Sequence, residues 1–244
     1  MGIKYIVASD TEESVSPLYE KYISDPEKNY TAYYNPYALS LAYAVNGSIK
    51  DVYFSDPNPE DAAKGDEGYI KYTEYKSPFE RLNAMVSAML GSTKDLEVFR
   101  SVPDVKMDYD NINLSFTTAH NKYSPSNSNA SAALSFTFTA DSDDQVYCYF
   151  PSNYPREVNL TVNRSSKGTY FANETHRVVY IGSFAPGQEV TVTLTLSESD
   201  LYLMSKVSYF YYLDEDTYKS VMPRLAEYDG ISYQFNIDKY TEDS

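Results

Sequence analysis

Tryptophan is absent from this chain of 244 residues, cysteine occurs once and histidine twice. A single thiol, Cys148, excludes any disulfide within the chain, and its setting in "QVYCYF" reads as a strand with a buried, inert sulfur. His120 and His176 stand in polar surroundings with no second ligand at metal spacing, and neither G-x-S-x-G nor H-E-x-x-H occurs. Both histidines therefore read as surface residues. Nine glycines supply no Gly-rich phosphate loop. No apolar run approaches the ~20 residues that a membrane-spanning helix needs, and no signal peptide opens the chain. Positive charge is also short, with 20 basic residues against 35 acidic ones and a net charge of −15. Such a surface repels phosphate backbones, which argues against nucleic acid as a partner.

What the chain has in excess is tyrosine, 27 residues beside 11 phenylalanines. A tyrosine ring packs like a hydrocarbon while its hydroxyl seeks a partner, so it suits half-buried strands and wet interfaces. Most of these rings are expected to pack on strand faces, leaving a few for carbohydrate stacking. Hydrophobic and charged fractions of 42% and 23% fall in the globular range. Asn-x-Ser/Thr triplets begin at Asn29, Asn46, Asn113, Asn129, Asn159, Asn163 and Asn173. In a chain rich in Asn, Ser and Thr they reflect composition and suggest a bacterial extracytoplasmic protein rather than glycan attachment. The opening "MGIKYIVASD" and the closing "ISYQFNIDKYTEDS" both read as strands cut short, as in a piece of a longer protein.

Periodicity divides the chain. Residues 3–8 read as a short buried strand and residues 30–34 as a second, stopped at Asn35-Pro36, where proline removes a donor and biases its neighbour away from helix. In "YALSLAYAV" the alternation predicts that Leu39 and Leu41 are buried. Residues 55–68 form a loop by every turn signal, and their acidic residues miss the glycine of a calcium loop. Residues 77–91 predict a helix: Ser77 caps, Pro78 takes the first position, Glu80 completes a capping box and Gly91 stops it. From about residue 107 the period becomes two. Ile112, Leu114 and Phe116, then Leu134, Phe136 and Phe138, Val158, Leu160 and Val162, and Val190, Val192, Leu194 and Leu196 each mark a half-buried strand. "KVSYFYYL", 206–213, predicts a central strand, Asp214 caps a following helix, Pro223 should kink or locally break that helix, and "ISYQFNI" supplies a last strand. The expected fold is α+β and β-rich. Residues 107–200 form a small antiparallel β-sandwich inserted into an α/β layer made of residues 1–106 and 201–244.

No catalytic constellation, cofactor site or metal site emerges. Asp141, Asp143 and Asp144, or Asp108 and Asp110, offer oxygen ligands, but they read as a hairpin loop and a strand-entry turn.

The order of segments carries more than any motif. "IKYIVASD", "YYNPYALSLAYAV", "SPFERLNAMVSAMLG", "VVYIGSFAPGQEVTVTLTL" and the segment around "YFYYLDEDTYKSVMPRLAEY" together resemble the extracytoplasmic region of the YfhO family of bacterial multi-pass membrane proteins. Tyr33, Asn35, Pro36, Tyr37, Ala38 and Leu39 match one family segment, and Pro78, Phe79 and Asn83 match another. Tyr34 departs from the pattern where an acidic residue is common, and Ser40 where proline is frequent. The resemblance implies polytopic glycosyltransferases that use a polyprenyl-phosphate sugar to decorate cell-wall polymers such as teichoic acids. It implies that this chain is the large domain outside the membrane, with its own transmembrane domain and a cell-surface glycan as partners and the reacting carboxylate elsewhere. The pattern residues come with no assigned role.

Two other readings stand beside that one. An independent carbohydrate-binding module predicts a coplanar row of exposed tyrosines. A structural module packing on its own membrane domain predicts an exposed apolar patch near both termini.

Overall fold

The computed structural model describes residues 3–9, 15, 18–39, 77–116, 120–152, 154–172, 178–197 and 200–226. The fold is α+β and β-rich. In chain order the strands are β1 (Tyr5–Ser9), β2 (Glu20–Asp25), β3 (Tyr30–Tyr34), β4 (Phe99–Ser101), β5 (Lys106–Asp110), β6 (Ile112–Phe116), β7 (His120–Pro125) and β8 (Ala132–Thr139). They continue with β9 (Gln145–Cys148), β10 (Val158–Val162), β11 (Ser165–Tyr170), β12 (Val179–Ser183), β13 (Glu189–Leu196), β14 (Leu201–Met204) and β15 (Phe210–Leu213). Helix α1 spans Pro78–Met89, between β3 and β4, and α2 spans Glu215–Ala226.

A sandwich carries the main core. The five-stranded antiparallel sheet β11-β10-β13-β8-β5 faces the four-stranded antiparallel sheet β12-β9-β15-β4. Strict alternation along β8 and β13 turns Leu134, Phe136, Phe138, Val190, Val192 and Leu194 inward, while Ser135 and Thr193 hydrogen-bond each other on the outer face at 3.0 Å. Phe136 lies 5.4 Å from the ring centroids of Phe150, Tyr209 and Phe210, and Cys148 is buried in the same cluster. Sheet β12-β9-β15-β4 draws β9 and β12 from within residues 107–200 and β4 and β15 from outside that range.

The second face of that four-stranded sheet is covered by helix. Phe79 of α1 is buried against Tyr211 of β15 at 4.4 Å and Phe99 of β4 at 4.9 Å. Ser77 Oγ accepts the N–H of Glu80 at 3.1 Å, the N-cap half of the expected capping box. Asp214 Oδ1 caps α2 by accepting from Thr217 N–H at 2.7 Å. The helix then runs through Pro223 to Ala226 rather than breaking there, with Val221, Met222 and Leu225 buried on either side of the proline. Anchoring by that apolar face offsets the one backbone bond that proline removes.

Two smaller sheets flank the sandwich: β1-β3-β2 and β14-β7-β6, both antiparallel. Residues 3–8 are not a buried strand. β1 is an edge strand, Tyr5 and Val7 face outward, and Ala8 turns inward. Leu39 is buried as the alternation predicts, whereas Leu41, the 55–68 loop, "ISYQFNI" and His176 lie outside the described residues. Strand structure in 206–213 begins only at Phe210, and Lys206 takes a left-handed conformation at φ 59°.

Candidate functional site

The sheet β14-β7-β6 shows how two-residue alternation builds a polar and aromatic surface. Tyr123, Leu201 and Leu203 turn into the core and are fully buried. The opposite face therefore carries Lys122 and Ser124 of β7, Tyr202 of β14, and the exposed Asn113 and Ser115 of β6. Lys122 Nζ lies 2.7 Å from Asp200 and 5.8 Å from the Tyr202 ring centroid. Hydrogen bonds from Lys122 and Ser124 hold the Asp200 carboxyl below the usual aspartate range, and the same carboxylate raises the Lys122 ammonium.

Tyr154 arrives from the segment between β9 and β10. Its ring packs 5.5 Å from that of Tyr202 and 5.9 Å from His120, with most of its own surface exposed. His120 is buried beneath it, not at the surface. Its strand position places it under Tyr154, which polar neighbours in sequence cannot reveal. Two rings, an ammonium, a carboxylate and several hydroxyl or amide groups thus share one open face. Such a face matches a molecule that presents both C–H surfaces and hydroxyl groups. Nothing in the spacing of Lys122, Tyr154 and Asp200 announces it. Only the pairing of β7 with β14 brings them together.

The segments that matched a family pattern occupy a different place, where they build structure. Tyr33 is half-buried on β3 and Pro36 is exposed. Asn35 is buried, its N–H donates to the Lys4 carbonyl at 2.8 Å, and its Oδ1 accepts from Tyr37 N–H at 2.9 Å. Tyr37 meets Tyr218 of α2 edge to face at 5.8 Å. Pro78 starts α1 and Phe79 fills the interface beneath it. Asn83 is bonded through both ends of its amide to the backbone of Phe99: Nδ2 donates to the carbonyl at 2.7 Å and Oδ1 accepts the N–H at 2.8 Å.

Asn35 and α1 face one apolar cavity of about 460 Å³. Leu82 and Val86 of α1, Val98, Leu213, and Tyr218 and Met222 of α2 line it, together with Ile3, Leu18, Tyr19 and Phe99. Burial raises the Tyr218 hydroxyl, opposed by its hydrogen bond to Asn35, and Tyr19 donates to the Ile3 carbonyl at 3.0 Å. No carboxylate lines this cavity among the described residues.

Acidic residues of the β8–β9 turn serve a structural purpose. Arg100 of β4 makes a two-pronged pair with Asp141 at 2.8 and 2.7 Å, approaches Asp144 at 3.6 Å and Asp214 at 3.8 Å, and stacks 4.0 Å from the Tyr212 ring centroid. One guanidinium thereby ties β4, the turn and the start of α2. No group of three or more potential metal-binding side chains occurs among the described residues, and no helix there is long and apolar enough to cross a membrane.

The family model for the bacterial membrane protein YfhO matches residues 1–241. No curated protein and no solved structure matches the chain.

Proposed function

This chain belongs to the YfhO family of bacterial membrane proteins, and from that premise we propose that it is an extracytoplasmic domain that recognises or positions a cell-surface glycan acceptor. The observation that supports the reading is the paired rings of Tyr154 and Tyr202 beside the Lys122–Asp200 pair. Sugar rings offer apolar C–H faces for tyrosine. Their hydroxyls donate to a carboxylate and accept from an ammonium. The net charge of −15 favours neutral sugar rings over the phosphates of an anionic polymer.

On this reading the parent is a glycosyltransferase that uses a polyprenyl-phosphate sugar to decorate cell-wall polymers such as teichoic acids. The reacting groups belong to another part of the parent, and the present chain is not itself catalytic.

Calorimetric titration of the chain with an undecorated teichoic acid that carries sugar rings in its backbone, and with a polyol-phosphate polymer that has none, tests the proposal. Binding is expected to the polymer with sugar rings in its backbone, with Tyr154→Ala and Tyr202→Ala each weakening it about tenfold. Equal binding to both polymers, or no effect of the two substitutions, would overturn it. Sugar transfer by this chain alone would overturn its non-catalytic part.

A further inference from the structure

The sheet β1-β3-β2 presents an apolar outer face of a kind that a water-facing sheet rarely keeps. Ile3, Tyr5, Val7, Tyr22, Ile23 and Tyr30 are each 51–68% exposed. A bulge between Lys21 and Ile23 contributes to this. Register places Ile23 opposite Ala32 on the outer face, and the extra residue, Tyr22, turns the same way. Tyr5, Tyr22 and Tyr34 then form a triad with ring centroids 5.3–6.5 Å apart. Their planes are inclined 43–65° to one another, so they do not form the coplanar row that would lie flat beneath sugar rings.

The make-up of the face suits one occupant. Within residues 3–9 and 18–34, Lys4, Lys21 and Lys28 balance Glu20, Asp25 and Glu27, giving a net charge of zero in a chain of net charge −15. Lys4 Nζ lies 5.7 Å from the Tyr34 ring centroid. Register also sets Glu20 opposite Tyr34 and Asp25 opposite Tyr30, so carboxylates stand at two corners of the face. A centre of tyrosines and β-branched residues with charge at its rim has the composition of the boundary between lipid headgroups and acyl chains. The family is one of membrane proteins. We propose that the outer face of β1-β3-β2 rests on the interfacial zone of a lipid bilayer, with Tyr5, Val7, Tyr22 and Ile23 entering it. This attachment is independent of the glycan reading, since it uses another sheet.

The lack of tryptophan makes the test clean. Tyr22→Trp installs one fluorophore on the face, and Tyr109→Trp installs a control on β5, where Tyr109 is also exposed. Each variant of the full 244-residue chain is mixed with phosphatidylcholine vesicles, with and without one third phosphatidylglycerol, and with brominated phosphatidylcholine. Emission from position 22 should shift to the blue and be quenched by bromine, while position 109 stays unchanged. Binding should be no stronger on the anionic vesicles. Adding Val7→Ser and Ile23→Ser should cut partitioning by about tenfold or more; both sites are exposed, and an unchanged melting temperature confirms the fold. No response to vesicles overturns the proposal. So does emission from position 22 that is already blue-shifted in buffer, or dimerisation in light scattering that Val7→Ser abolishes without any vesicle binding. Loss of teichoic acid binding leaves the fluorescence expectation unaltered, so the two readings fail separately.

Discussion

The side-chain amide of Asn83 stands in for a neighbouring β-strand: it donates to the carbonyl of Phe99 and accepts that residue's N–H, both within 2.8 Å. In this way α1 satisfies the backbone of β4 at the point where Phe79 packs on Phe99. The family-pattern asparagine is a joint between helix and sheet.

Asn83→Ala removes both bonds and strands two backbone groups in a buried interface. A loss of about 2–4 kcal/mol is expected in urea unfolding, since an unpaired buried group costs about 1–3 kcal/mol. Asn83→Asp keeps the acceptor but sets a carboxylate against a carbonyl oxygen, and it should also destabilise. A loss below about 0.5 kcal/mol for the alanine variant would show that water replaces the amide freely.

Arg100 governs the acid side of the stability curve. Its hydrogen bonds hold the Asp141 carboxyl below the ordinary aspartate range. A carboxyl whose pKa is lower folded than unfolded stabilises the fold above its unfolded pKa, about 3.9. That contribution disappears as pH falls through the depressed folded value. Asp141→Asn should therefore flatten the dependence of stability on pH below about pH 4. Because Asp141 is substantially exposed, the effect at neutral pH is small and weakens with salt. Chemical denaturation at a series of pH values reads both.

Glycan binding should persist into mild acid. Lys122 and Ser124 keep Asp200 ionised below the ordinary aspartate range, so its acceptor oxygens remain available as pH falls toward that range. Titrations from pH 7 downward are expected to show nearly constant affinity until about pH 4 and a decline below it. Asp200→Asn should weaken binding by about tenfold and remove that acid decline.

Pro223 leaves the carbonyl one turn earlier in α2 without its helical donor. Pro223→Ala restores the donor, and its flanking residues Met222 and Leu225 stay on the buried face. Thermal unfolding should show the variant at least as stable as the parent chain, by up to about 3 kcal/mol. A lower melting temperature would mean that the ring itself is needed for packing.

Short-range signals were legible wherever one physical cause dominated. Alternation marked β8, β10 and β13 because their inner faces meet the opposing sheet, and the Ser77–Glu80 box marked the start of α1. Strands with weaker contrast escaped. β7 hides in "HNKYSP" and β11 in "SSKGTY", since polar residues dominate both; β7 also pairs with the distant β14. The burial of β1 was misjudged because its apolar residues face out as well as in. No local pattern could reveal the Tyr154–Tyr202 face, which depends on long-range pairing between β7 and β14. The roles of Asn35 and Asn83 as backbone partners were equally hidden, because a side-chain amide gives no sequence sign of what it will bond.

The pairing of β4 with β15 joins residues more than a hundred positions apart, Phe99 with Leu213. A nascent chain emerging from its N-terminal end has already exposed α1 and β4 long before that partner exists. Loop closure over such a span is slow and entropically costly, so the four-stranded sheet is a late folding event. Until Leu213 has emerged, Phe79 and Phe99 lack the Tyr211 surface on which they come to rest. Order of synthesis thus leaves the helix-covered layer open until β15 has been made.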